Sequence, residues 1–365
     1  MRVLLAVALV ALVGCSSGPE RPSPTKLVSL DTRVNMQVRW STTLKADDAD
    51  ATRLVADQAG GVVYAAAGDA VKAIDATTGK VSWALDLDTA VSAGISEAYG
   101  NLYWVDVAGY LHAASIDGER GFSVATGREV LVPPSVSTDR ILVQGSDGSL
   151  ATYAYDGVLL WQRDGDSPSL GFRGQARAAT LQGGFLVARD SGDVMAVLAD
   201  DGLDAWRRRL GNARDDLADL DADPAIAGEL AMVAGAKTGA TALLVKNGQV
   251  YWESEVTSLK PLHSDGDNLY AVDLEGQVFA LELRTGQVVW RQPALKFRYP
   301  SGPLATEAGV VVVDSLGVAH TLNTETGEII GRTNTTLRGS ISLSSLDDDV
   351  LAMDTQGRLV RIGLN

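Results

Sequence analysis

Cysteine is almost absent from this 365-residue chain, which has Cys15 and no other. A single thiol excludes an internal disulfide and a cysteine-rich zinc site. Histidine is nearly as scarce: His112, His263 and His320 stand far apart without ligand spacing, so no zinc site is expected of them. Positive charge is in short supply as well, with 31 Lys and Arg against 46 Asp and Glu and a formal charge of −15. Phosphate-binding surfaces need basic stripes, and the one arginine run, WRRRL at 206–210, reads as a solvated strand end. A nucleic-acid partner is therefore not expected. The apolar run at 3–13, which follows the single charge of Arg2, is too short to cross a bilayer and reads as the core of a secretory signal.

That run ends in Leu12-Val13-Gly14-Cys15, which resembles the lipobox of bacterial lipoproteins. The resemblance implies a signal peptide over 1–14, a lipid on Cys15, and Cys15 as the first mature residue. Ser16 in place of Asp implies sorting to the outer membrane, with the protein facing the periplasm. The following SSGPERPSPTK is rich in Pro and Ser and without periodicity, so residues 15–34 are expected to form a flexible tether.

What the chain does have is a phrase that returns. DATTGKVSW (75–83), VKNGQVYW (245–252) and LRTGQVVW (283–290) each place a Gly turn ahead of a strand ending in Trp. Trp40, Trp83, Trp161, Trp206, Trp252 and Trp290 mark a spacing of about 42 residues, with one gap of double length that Phe122 bridges. After Trp290 the phrase returns as NTETGEIIG, with Gly331 where Trp is expected. Each unit reads as four short strands of small and β-branched residues, and this period predicts an all-β fold, an eight-bladed β-propeller of four-stranded antiparallel blades over 35–365. The last unit stops after its third strand. MQVRWSTTL (36–44) supplies the missing outer strand, which closes the ring without an unpaired edge. The Trp is expected to pack one blade on the next.

Ala-x-Asp-x-x-Thr-Gly-x-x-x-Trp is similar to the tryptophan-docking motif of quinoprotein-like propellers. With a lipobox ahead of one such propeller, the chain resembles the BamB family of outer-membrane β-barrel assembly lipoproteins. That resemblance implies a non-catalytic scaffold which takes no cofactor and binds the POTRA domains of BamA as a monomeric subunit of a hetero-complex. The alternative is a periplasmic quinoprotein-like dehydrogenase, dependent on a quinone and Ca²⁺, or a ligand-binding propeller. Many such enzymes carry an adjacent Cys pair, and this chain shows neither that pair nor a catalytic constellation. A polysaccharide-binding propeller would need exposed aromatic platforms, for which Trp104, outside the repeat position, is the one tryptophan left.

Two connections are longer than a propeller needs, at 163–176 and 210–224, and both follow a Trp strand. Links between antiparallel blades leave from one face, so the two should sit side by side. The first offers Leu170 and Phe172 beside Arg173; the second offers Asp215, Asp216, Asp219, Asp221 and Asp223. Apolar anchors with an Arg suit a protein interface. Equally, Leu170 and Phe172 could cover a blade edge while Arg173 pairs with Asp219 or Asp221. The alternation Asp219-x-Asp221-x-Asp223 is also open to a calcium reading, although the Gly and terminal Glu of an EF-hand loop are missing. The family resemblance implies that SLGFRGQA and DDLADLDADP contact the partner through Leu170, Phe172, Arg173, Asp219 and Asp221.

Overall fold

In a computed structural model that describes residues 22–44, 53–165, 175–211 and 220–365, every repeat of the phrase becomes one four-stranded sheet. Eight such sheets are present, each a meander in which consecutive strands pair antiparallel. Seven are built from one stretch of chain each, over 57–86, 96–125, 135–163, 179–209, 225–254, 263–292 and 304–334. The eighth joins Ile341–Leu346, Asp349–Asp354 and Arg358–Leu364 to the N-terminal strand Met36–Thr43. That strand pairs antiparallel with Arg358–Leu364, from Met36 opposite Leu364 to Thr43 opposite Arg358. The fold is the expected eight-bladed propeller, and the ring closes where the sequence leaves a strand missing.

The burial pattern follows the position of each strand in its blade. Second and third strands such as Val62–Ala67 and Val318–Leu322 are buried on both faces, between neighbouring blades. Fourth strands such as Val81–Asp86 alternate exposed and half-buried residues, as a sheet edge on the rim should. Small residues let the blades approach: Ala65, Ala67, Ala231 and Ala234 are fully covered.

The repeated Trp bridges each blade to the next. Its ring lies on the glycine of the following blade's turn: Trp40 on Gly79, Trp83 on Gly118, Trp161 on Gly202, Trp206 on Gly248, Trp252 on Gly286 and Trp290 on Gly327. At Gly327, with φ +70, a Cβ would sit 2.5 Å from Trp290 Cε3, so any other residue would be strained and would collide. The indole Nε1 then donates to a backbone carbonyl of the same turn, as Trp290 does to Thr324 at 2.7 Å and Trp40 to Ala76 at 2.7 Å. Phe122 takes the same place against Gly157. Where Gly331 replaces Trp, the N-terminal chain supplies the contact: a Cβ there would meet the Val34 carbonyl and Met36.

Part of the segment expected to be a tether is held. The Thr25 amide and hydroxyl donate to the Lys296 carbonyl at 3.1 and 2.8 Å, and Arg298 donates to the Thr25 carbonyl at 3.1 Å. Arg332 donates to the Val28 carbonyl at 2.8 Å, while Leu27 and Leu30 pack against the core between the sixth and seventh blades. The Arg33 and Val34 amides both donate to Ile330 O. Residues 25–34 thus form a strap that runs from the connection at 293–303 down the side of the ring to the closing strand.

Candidate functional site

All eight connections from an outer strand to the next inner strand leave from one face of the ring, because every blade is the same meander. This loop face carries both long connections. Of the predicted contact residues, Leu170, Phe172, Arg173 and Asp219 lie outside the described residues, as does Cys15; Asp221 is described. It is buried, at 8% exposure, between Leu220 and Ala222, which are fully covered.

The roots of the two connections are well placed. Leu210 at the start of the second and Leu220 at its end share one apolar cluster with Ala176, which ends the first. The cluster lies between the fourth and fifth blades, so the described ends of the two connections meet there. Gln144 fixes the first root from the third blade: its side-chain amide donates to Ala176 O at 3.1 Å, and its side-chain oxygen accepts from the Ala178 amide at 2.7 Å.

A feature that sequence reading missed sits on the axis of the same face. Arg53, at the head of the first blade, makes a two-pronged ion pair with Asp223 at the head of the fifth, at 2.6 and 2.5 Å. These blades are opposite one another, so the pair spans the ring. Asp223 Oδ1 also accepts the Arg177 backbone amide at 2.9 Å. The Arg177 side chain crosses to the second and third blades, where it donates to Ser96 Oγ and to Pro134 O, both at 2.9 Å. Burial opposes the Arg53 charge, but Asp223 outweighs it and holds the pKa above the ordinary value. Burial wins at Arg177, whose pKa falls despite Asp223 and Asp57. The signal available in sequence was a charged residue two to four places ahead of an inner strand, in TRLV, ARAA and DADP. Nothing local says that those positions meet.

These contacts bear on the other readings. Asp223 is engaged by Arg53, which removes one carboxylate from the calcium alternative, and among the described residues no group of three or more His, Cys, Asp or Glu is placed to hold a metal ion. His112 and His320 serve Asp106 and Asp314 of their own blades, at 2.9 and 3.1 Å. Trp104 is 2% exposed and stacks on His112 at 5.4 Å between centroids, so it offers no platform for a sugar.

A profile of the family described as outer membrane protein assembly factor BamB matches residues 67–292, more than half of the chain. The chain belongs to the BamB family. It is 28% identical to outer membrane protein assembly factor BamB of Shewanella oneidensis over 98% of this chain and 97% of that one. With the protein of the same name from Shigella dysenteriae serotype 1 it shares 30% identity, over 90% and 89%. Among solved structures, BamB from Moraxella catarrhalis superposes with a TM-score of 0.80 at 23% identity, covering 90% of this chain and 99% of that one. The quinohemoprotein alcohol dehydrogenase of Comamonas testosteroni is similar in fold alone, with a TM-score of 0.69 at 13% identity over 90% and 76%. BamB family membership joins the chain to assembly factors, and its likeness to dehydrogenases is distant.

Proposed function

We propose that this chain is a non-catalytic scaffold of the outer-membrane β-barrel assembly machinery, one that binds the POTRA domains of BamA and assists folding and insertion of outer-membrane proteins. Docking uses the loop face, with Leu170, Phe172 and Arg173 on one loop and Asp219 on its neighbour, while the buried Asp221 supports that second loop from its root. The observation that supports this reading is the shared root of the two connections, Ala176, Leu210 and Leu220 in one cluster, which brings ends distant in sequence together. Ends held in a core suit binding, since chain that is already fixed loses less entropy on docking.

The anchor is the lipid on Cys15, in the periplasmic leaflet of the outer membrane. The strap supports this arrangement, because Thr25 is held beside Lys296 and Arg298 on the loop face. The ten residues from Cys15 to Thr25 span at most about 36 Å when extended. Anchor and docking loops therefore leave from the same face, and the leash limits how far that face can stand from the membrane.

Binding of the soluble chain from Ser16 to the POTRA region of its own BamA, wild type against Arg173→Glu, is the test. Wild-type affinity abolished by the substitution, with an unchanged circular dichroism spectrum, supports the reading. Absence of wild-type binding refutes it, and binding indifferent to Arg173→Glu moves the partner to another surface.

A further inference from the structure

The strap reveals what a groove on the rim of this ring accepts. Between the sixth and seventh blades, Leu27 and Leu30 pack in one cluster with Trp290, Leu295 and Ile329. Arg298 donates to the Thr25 carbonyl at 3.1 Å and Arg332 to the Val28 carbonyl at 2.8 Å. A segment without strand structure is thus held by its carbonyls and by two apolar side chains three residues apart. On the outer strand of the seventh blade, Ile329 and Ile330 are only 7% and 6% exposed.

One blade earlier the same walls stand open. Val288 pairs with Leu281 as Ile329 pairs with Leu322, so Val288 and Val289 hold the positions of Ile329 and Ile330. Gly286 seats Trp252 as Gly327 seats Trp290, and Val256 follows Trp252 by four residues as Ala294 follows Trp290. Val288 and Val289, however, are 48% and 49% exposed. The groove between the fifth and sixth blades is a recess of about 420 Å³ whose walls include Val256, Phe279, Gly286 and Val288. Val288 also lines a second recess of about 410 Å³, together with Val289 and Arg284. Single exposed valines are ordinary on a protein surface. This pair differs because the chain covers its counterparts in the next blade with a segment of its own. Charge adds a preference: Glu255 and Asp273 line the first recess and Asp267 and Glu282 the second, against Arg284 as the one cation. Such walls favour a partner of positive charge.

We infer that the groove between the fifth and sixth blades is a docking site for a peptide segment of a partner protein, carrying two apolar side chains three residues apart and net positive charge. Its apolar side chains lie against Val256, Phe279 and Val288 as Leu27 and Leu30 lie against Leu295, Trp290 and Ile329. The lining residues belong to neither long connection, so the inference does not depend on the POTRA reading.

The test is fluorescence anisotropy of a labelled synthetic peptide of residues 24–35, PTKLVSLDTRVN, titrated with the soluble chain from Ser16. The peptide carries Leu27 and Leu30, and Lys26 and Arg33 against Asp31. The attached strap keeps its own groove, because a tethered segment competes at high effective concentration, and the free peptide is left with the open one. It should bind at one equivalent per chain. Val288→Lys, which alters a half-exposed side chain and should leave the circular dichroism spectrum unchanged, should weaken binding by about tenfold to a hundredfold. Val81→Lys, at the same position of the first blade and 44% exposed in the wild type, should bind like wild type. A peptide with Leu27→Ser and Leu30→Ser should not bind. Absence of wild-type binding, equal loss in Val81→Lys, or binding indifferent to Val288→Lys or to the leucines would overturn the inference. So would analytical ultracentrifugation in which wild type self-associates without peptide and Val288→Lys is monomeric, since the groove would then belong to a second copy of the chain.

Discussion

If the repeat exists to seat an indole on a glycine, then the energy of that seat is measurable at Trp290 and Gly327. Trp290 is 7% exposed, packs 5.9 Å from Tyr270 between centroids, and donates to Thr324 O at 2.7 Å. Trp290→Ala should cost about 3–5 kcal/mol for the cavity. Gly327→Ala acts from the other side. At φ +70 the new side chain meets left-handed strain of roughly 1–2 kcal/mol. Its methyl would also press on the indole at 2.5 Å from Cε3, and such overpacking costs roughly 1–3 kcal/mol more. The two substitutions should not be additive. With the indole gone, the methyl has nothing to strike, so Gly327→Ala should then cost only its backbone strain. Urea unfolding of wild type, both single variants and the double variant, followed by far-ultraviolet circular dichroism, closes the cycle. The double variant should be more stable than the sum of the singles predicts by about 1–3 kcal/mol. Additivity within about 0.5 kcal/mol would show that the Trp–Gly contact is not what spaces the blades.

The other interfaces and the buried histidine give further expectations. Deleting residues 22–43 removes the strap and the strand paired with Arg358–Leu364, leaving an unpaired edge in the eighth blade; size-exclusion chromatography should show self-association or loss of the folded monomer. His320 is fully buried and its pKa is lowered by burial, against the pull of Asp314. Its Nδ1 faces Arg332 Nε, a donor, so Nε2 carries the proton to Asp314 and the ring is neutral. The unfolded chain takes up this proton near pH 6.5 and the folded chain only lower, so stability should fall as pH drops below about 6.5. His320→Gln should flatten that part of a urea-midpoint profile against pH; an unchanged slope would exclude His320 as its source.

How much of this could be read in the sequence depends on how far apart the interacting parts lie. Trp and Gly alternate within one period of the repeat, and a period is visible in a string of letters, so the blade number and the closing strand were legible. Phe122 in the double-length gap was legible for the same reason, since an aromatic at the repeat position packs on Gly157 whatever its ring. The replacement at Gly331 was visible as a departure but not its cause. Val34 and Met36 fill that interface from the other end of the chain. The strap escaped because its composition is that of a linker, and its anchors are carbonyls offered to Arg298 and Arg332. At the loop face, chain order was enough to expect the described ends of the two long connections, Ala176, Leu210 and Leu220, to come together. It could not reveal that Arg53, Arg177 and Asp223 converge, because eightfold closure, and no local pattern, brings them to the axis.

That convergence has a consequence for the ring as a whole. The Trp–Gly seats are contacts between neighbours, and a seat is equally well made in a ring of any size or in an open stack. The Arg53–Asp223 pair joins blades four places apart and can form only when the ring has closed at the right diameter. It is therefore a device for specificity of closure, and its energetics should show that. Asp223→Ala leaves Arg53, whose side chain is 21% exposed, without its carboxylate, and strips the Arg177 amide of its acceptor. Removal of one partner of a buried pair typically destabilises by 3–5 kcal/mol, and the partial exposure here argues for about 3. Replacing both partners, Arg53→Met with Asp223→Leu, removes the stranded charge and should recover most of that loss. If the pair contributed only net attraction, the double variant would be at least as unstable as Asp223→Ala. If it governs closure, the double variant should regain thermal stability yet show a broader distribution of sizes after refolding, with open or domain-exchanged species by analytical ultracentrifugation. A double variant that is both stable and strictly monomeric on refolding would refute that role.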